Sequence, residues 1–348
     1  MIQSVPPLRP MSLPLGQEPD EALIVRAAWL YHLVGKTQEE VAAHLGLHRS
    51  RVVRLLAEAR ERGLVSVSIH HESVRDLETE HAIADRFGLD FCYATLPTGL
   101  PVEAHPEVAA AQGLIARRAV GSAAASLLRG RLAQGRLTVG VSWGRTLEQV
   151  ALHLTGVRNP EARFVSLMGS LSHNSASNTF EVVQSFTART GGEGYFLPVP
   201  FIADSIDDRA VLLSQRSVAA ALDIACNADL YLISVGELSE TSLIRQRGMI
   251  SADELAELRR LGAVCDTMGL FFDARGQAVD HPVSRRSLAV DFRRLIGRDV
   301  VLLGAGIEKV AAVAALLRTR VARGLVIDGD AARLLAAPGL PQDWGYCE

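Results

Sequence analysis

Beyond Phe91, short apolar runs recur along the chain, each followed by a Gly- or Ser-rich turn and then by a helical stretch. This alternation constrains the fold more than any other feature, because strands separated by helices assemble into a parallel sheet with the helices packed on it. The runs fall at 137–141, 164–168, 195–199, 230–235, 300–303 and 325–327, with helices between most of them. Ser251, with Glu254 three residues later, marks one helix start through the reciprocal pair that satisfies free N–H groups in a first turn. Within 268–279 the segment GLFFDARGQAV reads instead as a hairpin turning at 274–277. Ahead of the alternating region, 74–87 is an amphipathic helix with Leu77, Ile83, Ala84 and Phe87 on one face, stopped by Gly88. No internal repeat interrupts the pattern.

The first part of the chain is different. From Asp20 to about His71 the pattern is helical and compact, predicting three helices and then a short strand at 64–69. Thr37 with Glu40 caps the second helix, whose inner face is Val41, Ala42 and Leu45, and Gly46 permits a tight turn. A third helix follows directly, with Val52, Val53, Leu55, Leu56 and Ala59 as its apolar face and Arg49, Ser50, Arg51 and Arg54 near the opposite side. Those are the positions that a recognition helix presents to the major groove, where Arg reads guanine or holds phosphate. Thr37 and Gln38, at the start of the preceding helix, complete the candidate DNA-facing set. The competing reading is a solvated helical hairpin with a basic face. Against it stand the short 46–48 turn and five arginines against two glutamates between His48 and Arg62, in a chain whose net charge is −3. His48 occupies a position where Ser or Thr would cap the third helix better.

With 348 residues, 48% of them hydrophobic, the chain has material for more than one domain. The expected organisation is a disordered tail over 1–20, which holds five prolines, a helix-turn-helix domain over 21–73 and an α/β domain over 74–348. Four scattered cysteines, Cys92, Cys226, Cys265 and Cys347, suggest neither a zinc site nor a disulfide framework, and fit a reducing cytoplasm. The longest apolar stretches fall far short of the roughly 20 residues of a membrane span. Neither a metal, a cofactor nor a membrane is expected.

Three turns of the second domain carry chemistry. In GVSWGRTLEQV a strand ends at Val141, the chain turns through Ser142, Trp143, Gly144 and Arg145, and a helix begins at Thr146. Its free N–H groups and dipole suit a phosphate or a hydroxyl-rich ligand, although a plain strand-to-helix connection looks the same. The turn SLMGSLSHNSASNTF offers Gly169, Ser170, Asn174, Ser175, Ser177 and Asn178, able to bond sugar hydroxyls or simply their own backbone. His173 there has no second ligand at metal spacing. In VVLLGAGIEKVAAVAALL a buried strand, the turn 304–306 and a helix with Lys309 in its first turn resemble GxGxxG with lysine for the last glycine, which weakens a dinucleotide reading. Lys309 opposes the helix dipole, which makes sense if it meets an anion. The alternative is an exposed lysine.

Together, TQEEVAAHLGLHRSRVVRLLAEARERGLV, GVSWGRTL, AVCD followed by FFD, and LLGAGIEKVAAVAALLRTRVARGLVID resemble the SorC family of bacterial sugar-responsive transcriptional regulators over about Glu21 to Leu335. The resemblance implies a Rossmann-like parallel-sheet sensor domain, similar to ribose-phosphate isomerases and glucosamine-phosphate deaminases but without turnover. It also implies double-stranded operator DNA and a small sugar, polyol or sugar phosphate as partners, and assembly as homodimers or homotetramers. Carried onto this chain, 142–146 matches the family's ligand loop, Lys309 its ligand-meeting lysine and Asp266 its acidic residue beside the pocket. Cys265 stands where glycine is common in the family. A rival reading is a sugar-phosphate isomerase or deaminase with an accessory DNA-binding domain, in which Asp266 or Glu237 is the general base and Lys309 holds phosphate. It needs two positioned acid/base groups, and the sequence offers no compact carboxylate pair.

Overall fold

The structure, a computed structural model, describes residues 20–65, 74–99, 106–170 and 178–338. The chain divides into two compact units, Met1–His71 and Glu72–Glu348.

In the first unit, α1 (Asp20–His32), α2 (Gln38–Leu45) and α3 (Arg49–Glu61) enclose a small core that includes Ile24, Leu30, Val41, Leu45, Val52, Leu55 and Leu56. Thr37 and Glu40 form the reciprocal cap of α2, and Gly46 ends that helix at φ 66°, a left-handed conformation that costs glycine nothing. His48 opens α3 without a side-chain cap. Val53, expected on the inner face, is exposed, because the 3.6-residue period turns it away from Val52 and Leu56. Of the strand expected at 64–69, only 64 and 65 are described, and they form none. The tail lies outside the described residues except for Asp20, which starts α1.

The second unit opens with α4 (Val74–Phe87), which buries Ile83 and Phe87 but leaves Leu77 exposed near its first turn, contrary to the single apolar face expected. Its main sheet consists of β1 (Phe91–Ala94), β2 (Thr138–Val141), β3 (Arg163–Ser166), β4 (Glu193–Tyr195), β5 (Leu230–Ser234), β10 (Val300–Gly304) and β11 (Gly324–Ile327), in the order β1-β11-β10-β5-β2-β3-β4. Every pairing in it is parallel. Successive strand residues enter opposite cores: Val139, Val141, Leu230, Leu232, Val301 and Leu303 on one face, Tyr231, Ile233, Val300, Leu302 and Leu325 on the other. The first core is closed by α5 (Pro106–Leu132), α6 (Arg145–His153) and the helix Thr179–Thr190; the helix Val310–Arg318 packs into the second. The expected run at 195–199 marks the segment after β4 more than β4 itself: Leu197 and Val199 leave the sheet to pack with Val218 and Leu288.

A second, antiparallel sheet joins β6 (Gly236–Glu237), β7 (Ala263–Thr267), β8 (Leu270–Asp273) and β9 (Ala278–Val279). It contains the expected hairpin, closed by the Asp273 N–H donating to the Gln277 carbonyl at 2.9 Å. The chain winds outward from β2 to β3 and β4, then returns to β5 and winds the other way to β10 and β11. β2 and β5 therefore flank the point where winding reverses, and ligands of open parallel sheets gather outside the carboxyl ends of strands at such points.

Candidate functional site

A cleft enclosing about 480 Å³ of empty space, part of it open solvent, lies at this reversal, past the ends of β2, β5 and β10. Ser142, Trp143, Gly144, Arg145 and Thr146 line it from β2, Val235, Gly236 and Glu237 from the exit of β5, Asp266 and Thr267 from β7, and Lys309 from the turn after β10. The turn after β2 is fixed by backbone and hydroxyl bonds to its neighbour. The Ser142 N–H donates to the Leu232 carbonyl at 3.1 Å, while the Ser142 hydroxyl accepts from the Ser234 N–H at 3.0 Å. Ser234 Oγ donates to the Trp143 carbonyl at 2.6 Å, and Thr267 Oγ1 to the Ser234 carbonyl at 3.1 Å. Gly144 holds φ 118°, a conformation that glycine supplies cheaply, and delivers Arg145 as the first residue of α6. With Gly144 at the cap position and no side-chain cap, the first N–H groups of α6 receive no side-chain partner there.

Charge gathers opposite this turn. Glu237, Asp266 and Lys309 are 7%, 5% and 9% exposed, which makes them a buried ionic group rather than a solvated patch. Lys309 Nζ donates to the Val235 carbonyl at 2.9 Å and stands 3.5 Å from Glu237 Oε2. Asp266 pairs with Gly236 across β6 and β7, and any Cβ at 236 would fall 2.0 Å from Asp266 Oδ1, so the carboxyl occupies the space a side chain would fill. Burial pushes the Asp266 carboxyl up to about 7, the charge of Glu237 adds to the rise, and Lys309 opposes it.

Two expectations change. The carboxylates that look scattered in the sequence gather at the cleft: Glu237 on β6 and Asp266 on β7 both line it, and the charge of Glu237 acts on Asp266. Lys309 is neither exposed nor in the first turn of a regular helix. It ends a 3-10 turn, Ile307–Lys309, ahead of the helix Val310–Arg318, and the anion it meets belongs to the protein itself. The 304–306 turn is also occupied internally, since the Gly306 N–H donates to Asp328 Oδ2 at 2.7 Å. That bond uses the amide a dinucleotide phosphate would need.

Gly169, Ser170 and Asn178 follow β3 on the same edge of the sheet but are not among the residues lining the cleft. A Cβ at 169 would come within 2.3 Å of the Pro200 carbonyl oxygen, so the glycine there serves a close backbone approach. Ser170 Oγ lies 3.1 Å from Thr179 Oγ1, and Asn178 precedes the helix Thr179–Thr190 without capping it. His173, Asn174, Ser175 and Ser177 lie outside the described residues. Sequence reasoning passed over Ser234, Thr267 and Asp328; Ser234 ends β5 as Ser142 follows β2, and that parallel was the available signal.

In the first unit, Arg49, Ser50 and Arg54 of α3 are exposed and Arg51 is half-buried. Arg49 lies 3.8 Å from Glu39 of α2, an exposed pair of small energetic weight. The Thr37 hydroxyl is engaged with Glu40, and Gln38 is half-buried beside it.

Residues 71–337 match the family described as "Putative sugar-binding domain". Over 317 residues the chain is 34% identical to the erythritol catabolism regulatory protein EryD of Brucella abortus, covering 91% of this chain and 96% of that protein. The chain belongs to the SorC family of transcriptional regulators. A second regulator of the family, the deoxyribonucleoside regulator of Bacillus subtilis, is 28% identical over 319 residues, 90% of this chain and 97% of its own length. The full-length sorbitol operon regulator SorC of Klebsiella pneumoniae has the same fold, with a TM-score of 0.67 at 23% identity over 91% of this chain and 99% of that one. As a SorC-family protein the chain is a transcriptional regulator with a sugar-binding domain, and the isomerase or deaminase reading gives way to it. Among the described residues no helix is long and apolar enough to cross a membrane.

Proposed function

We propose that the cleft beyond β2, β5 and β10 is the effector site of this regulator, and that it takes a small hydroxyl-rich carbohydrate. The observation that carries the reading is the buried Glu237–Asp266–Lys309 group facing the 142–146 turn. Carboxylate oxygens accept hydroxyl protons, and a protonated Asp266 can also donate, so the group matches the alternating donor and acceptor pattern of a polyol. Lys309 holds Glu237 in place, and Ser142 and Ser234 hold the turn. The N–H groups at the start of α6 supply donors to the other end of the ligand. Similarity to an erythritol catabolism regulator favours a short polyol, or a derivative of one, in a carbohydrate catabolism operon.

DNA is read by α3 through Arg49, Ser50, Arg51 and Arg54, with Thr37 and Gln38 of the α2 start beside the backbone. One such unit covers too few base pairs for tight specific binding, so the working form is a cytoplasmic homodimer or homotetramer on a pseudo-palindromic operator. The domain limits that follow are 21–73 for DNA and 74–348 for effector. The test is a thermal-shift panel of tetritols, pentitols and their monophosphates on the wild type and on Asp266→Asn. A true effector at about 100 times its Kd adds roughly 2.7 kcal/mol of stability to the wild type, and the substitution abolishes that gain. Stabilisation equal in both proteins contradicts the assignment.

A further inference from the structure

The long helix α5 contributes nothing to the expected site, yet one of its side chains reaches toward the cleft. A Cβ at Gly121 of α5 would lie 2.5 Å from the Gln149 Cβ of α6, so glycine there lets the two helices touch closely. One helical turn earlier on each stand Arg117 and Arg145. Arg145 lines the cleft. Arg117 bends back over its own helix, its Nη1 3.0 Å from where a Gly113 Cβ would be, in the direction of Glu308 on the turn after β10. Both arginines are half-buried, and among the described residues neither has a hydrogen-bond or ion-pair partner. Glu237, Glu308 and Glu148 are the carboxylates whose field reaches Arg117, but none is paired with it. Burial, and then the like charge of Arg145, hold the Arg117 guanidinium below its usual range.

Two guanidiniums brought together with their planar donors unfilled are an arrangement that proteins rarely leave without an anion. We propose that Arg117 and Arg145 form an oxyanion-binding pair beside the cleft, so that the effector carries a phosphate or carboxylate group as well as hydroxyls. The inference rests on the cleft being the effector site and moves the expected anion contact from Lys309, whose charge Glu237 already answers, to the two arginines. Glu237 and Asp266 then hold the hydroxyl end of the same molecule.

The test uses calorimetry on the full chain with four probes: inorganic phosphate, erythritol, erythritol 4-phosphate and erythronate. The wild type should bind inorganic phosphate with a Kd on the order of millimolar, and at least one anionic tetrose derivative at least about tenfold more tightly than erythritol. Tighter binding of the phosphate ester assigns a phosphate, tighter binding of erythronate a carboxylate, and either supports the pair. Arg117→Gln and Arg145→Gln should each erase the preference for the anion, and in Arg117→Gln, whose residue does not line the cleft, erythritol affinity should stay within about twofold of wild type. Arg117→Lys, which keeps the charge but not the fork, should fall between. The unliganded melting temperatures confirm that the variants fold. The proposal is overturned if inorganic phosphate does not bind the wild type, if erythritol is preferred to both anions, or if Arg117→Gln and Arg145→Gln leave the preference intact. Failure of the cleft reading looks different: anions bind and depend on both arginines, while Asp266→Asn leaves every affinity unchanged.

Discussion

At Asp266 burial and the charge of Glu237 act in the same direction on one carboxyl of the cleft. Its carboxyl is raised from an ordinary 3.8 to about 7, so between those values the folded protein binds a proton that the unfolded chain does not. Stability that depends on this proton is complete below about pH 4 and is lost as pH rises toward 7. Asp266→Asn cannot lose it. Its stability relative to wild type, from urea denaturation, should therefore rise from pH 4 to pH 7 and level off above; a flat difference contradicts the raised carboxyl. Lys309 shows what the sequence could and could not tell. A lysine beside a helix start against the dipole was legible as a cation in want of an anion. That the anion is Glu237 was not legible, because only the β6 excursion after β5 brings it within 3.5 Å. Lys309→Ala should accordingly cost roughly 3–5 kcal/mol of stability by leaving a buried carboxylate uncompensated. Urea midpoints within error of wild type would show that the lysine is not a structural counter-ion.

Elements were legible where local rules set them. The Thr37–Glu40 and Ser251–Glu254 caps, the Gly46 turn and the buried central strands all follow from residues a few positions apart. Val53 and Leu77 were misplaced because an apolar side chain near a helix face does not reveal how wide the buried stripe is. β6 escaped notice because it is two residues long, yet it positions the site: Gly236 yields its side-chain space to Asp266. Gly236→Ala therefore puts a methyl where Asp266 Oδ1 now lies. The carboxyl is a movable end, so the fold should survive with a small fall in melting temperature while affinity for the stabilising polyol or polyol phosphate drops at least about tenfold. Unchanged affinity would mean that the carboxyl position does not matter for binding.

At the scale of the whole molecule, a chain of net charge −3 can approach DNA only through a local basic surface, and α3 with its flanks concentrates one. Replacing Arg51 or Arg54 with Ala should cost roughly 1–3 kcal/mol of discrimination at one operator position in at least one of the two variants. Operator preference unchanged in both, measured by competition with base-substituted sites, would mean that α3 only holds the backbone. Regulation requires that the cleft and α3 be thermodynamically linked, so that a ligand changes operator affinity by the factor by which DNA changes ligand affinity. Most directly, this linkage is tested by fluorescence anisotropy of operator DNA titrated with wild type and with Glu237→Gln, each with and without the panel compound that stabilises wild type most. The account predicts that the ligand shifts the wild-type operator Kd by roughly 5–150-fold, and that Glu237→Gln binds operator normally without ligand but loses the shift. A full shift in Glu237→Gln, or none in wild type at saturating ligand, would contradict it.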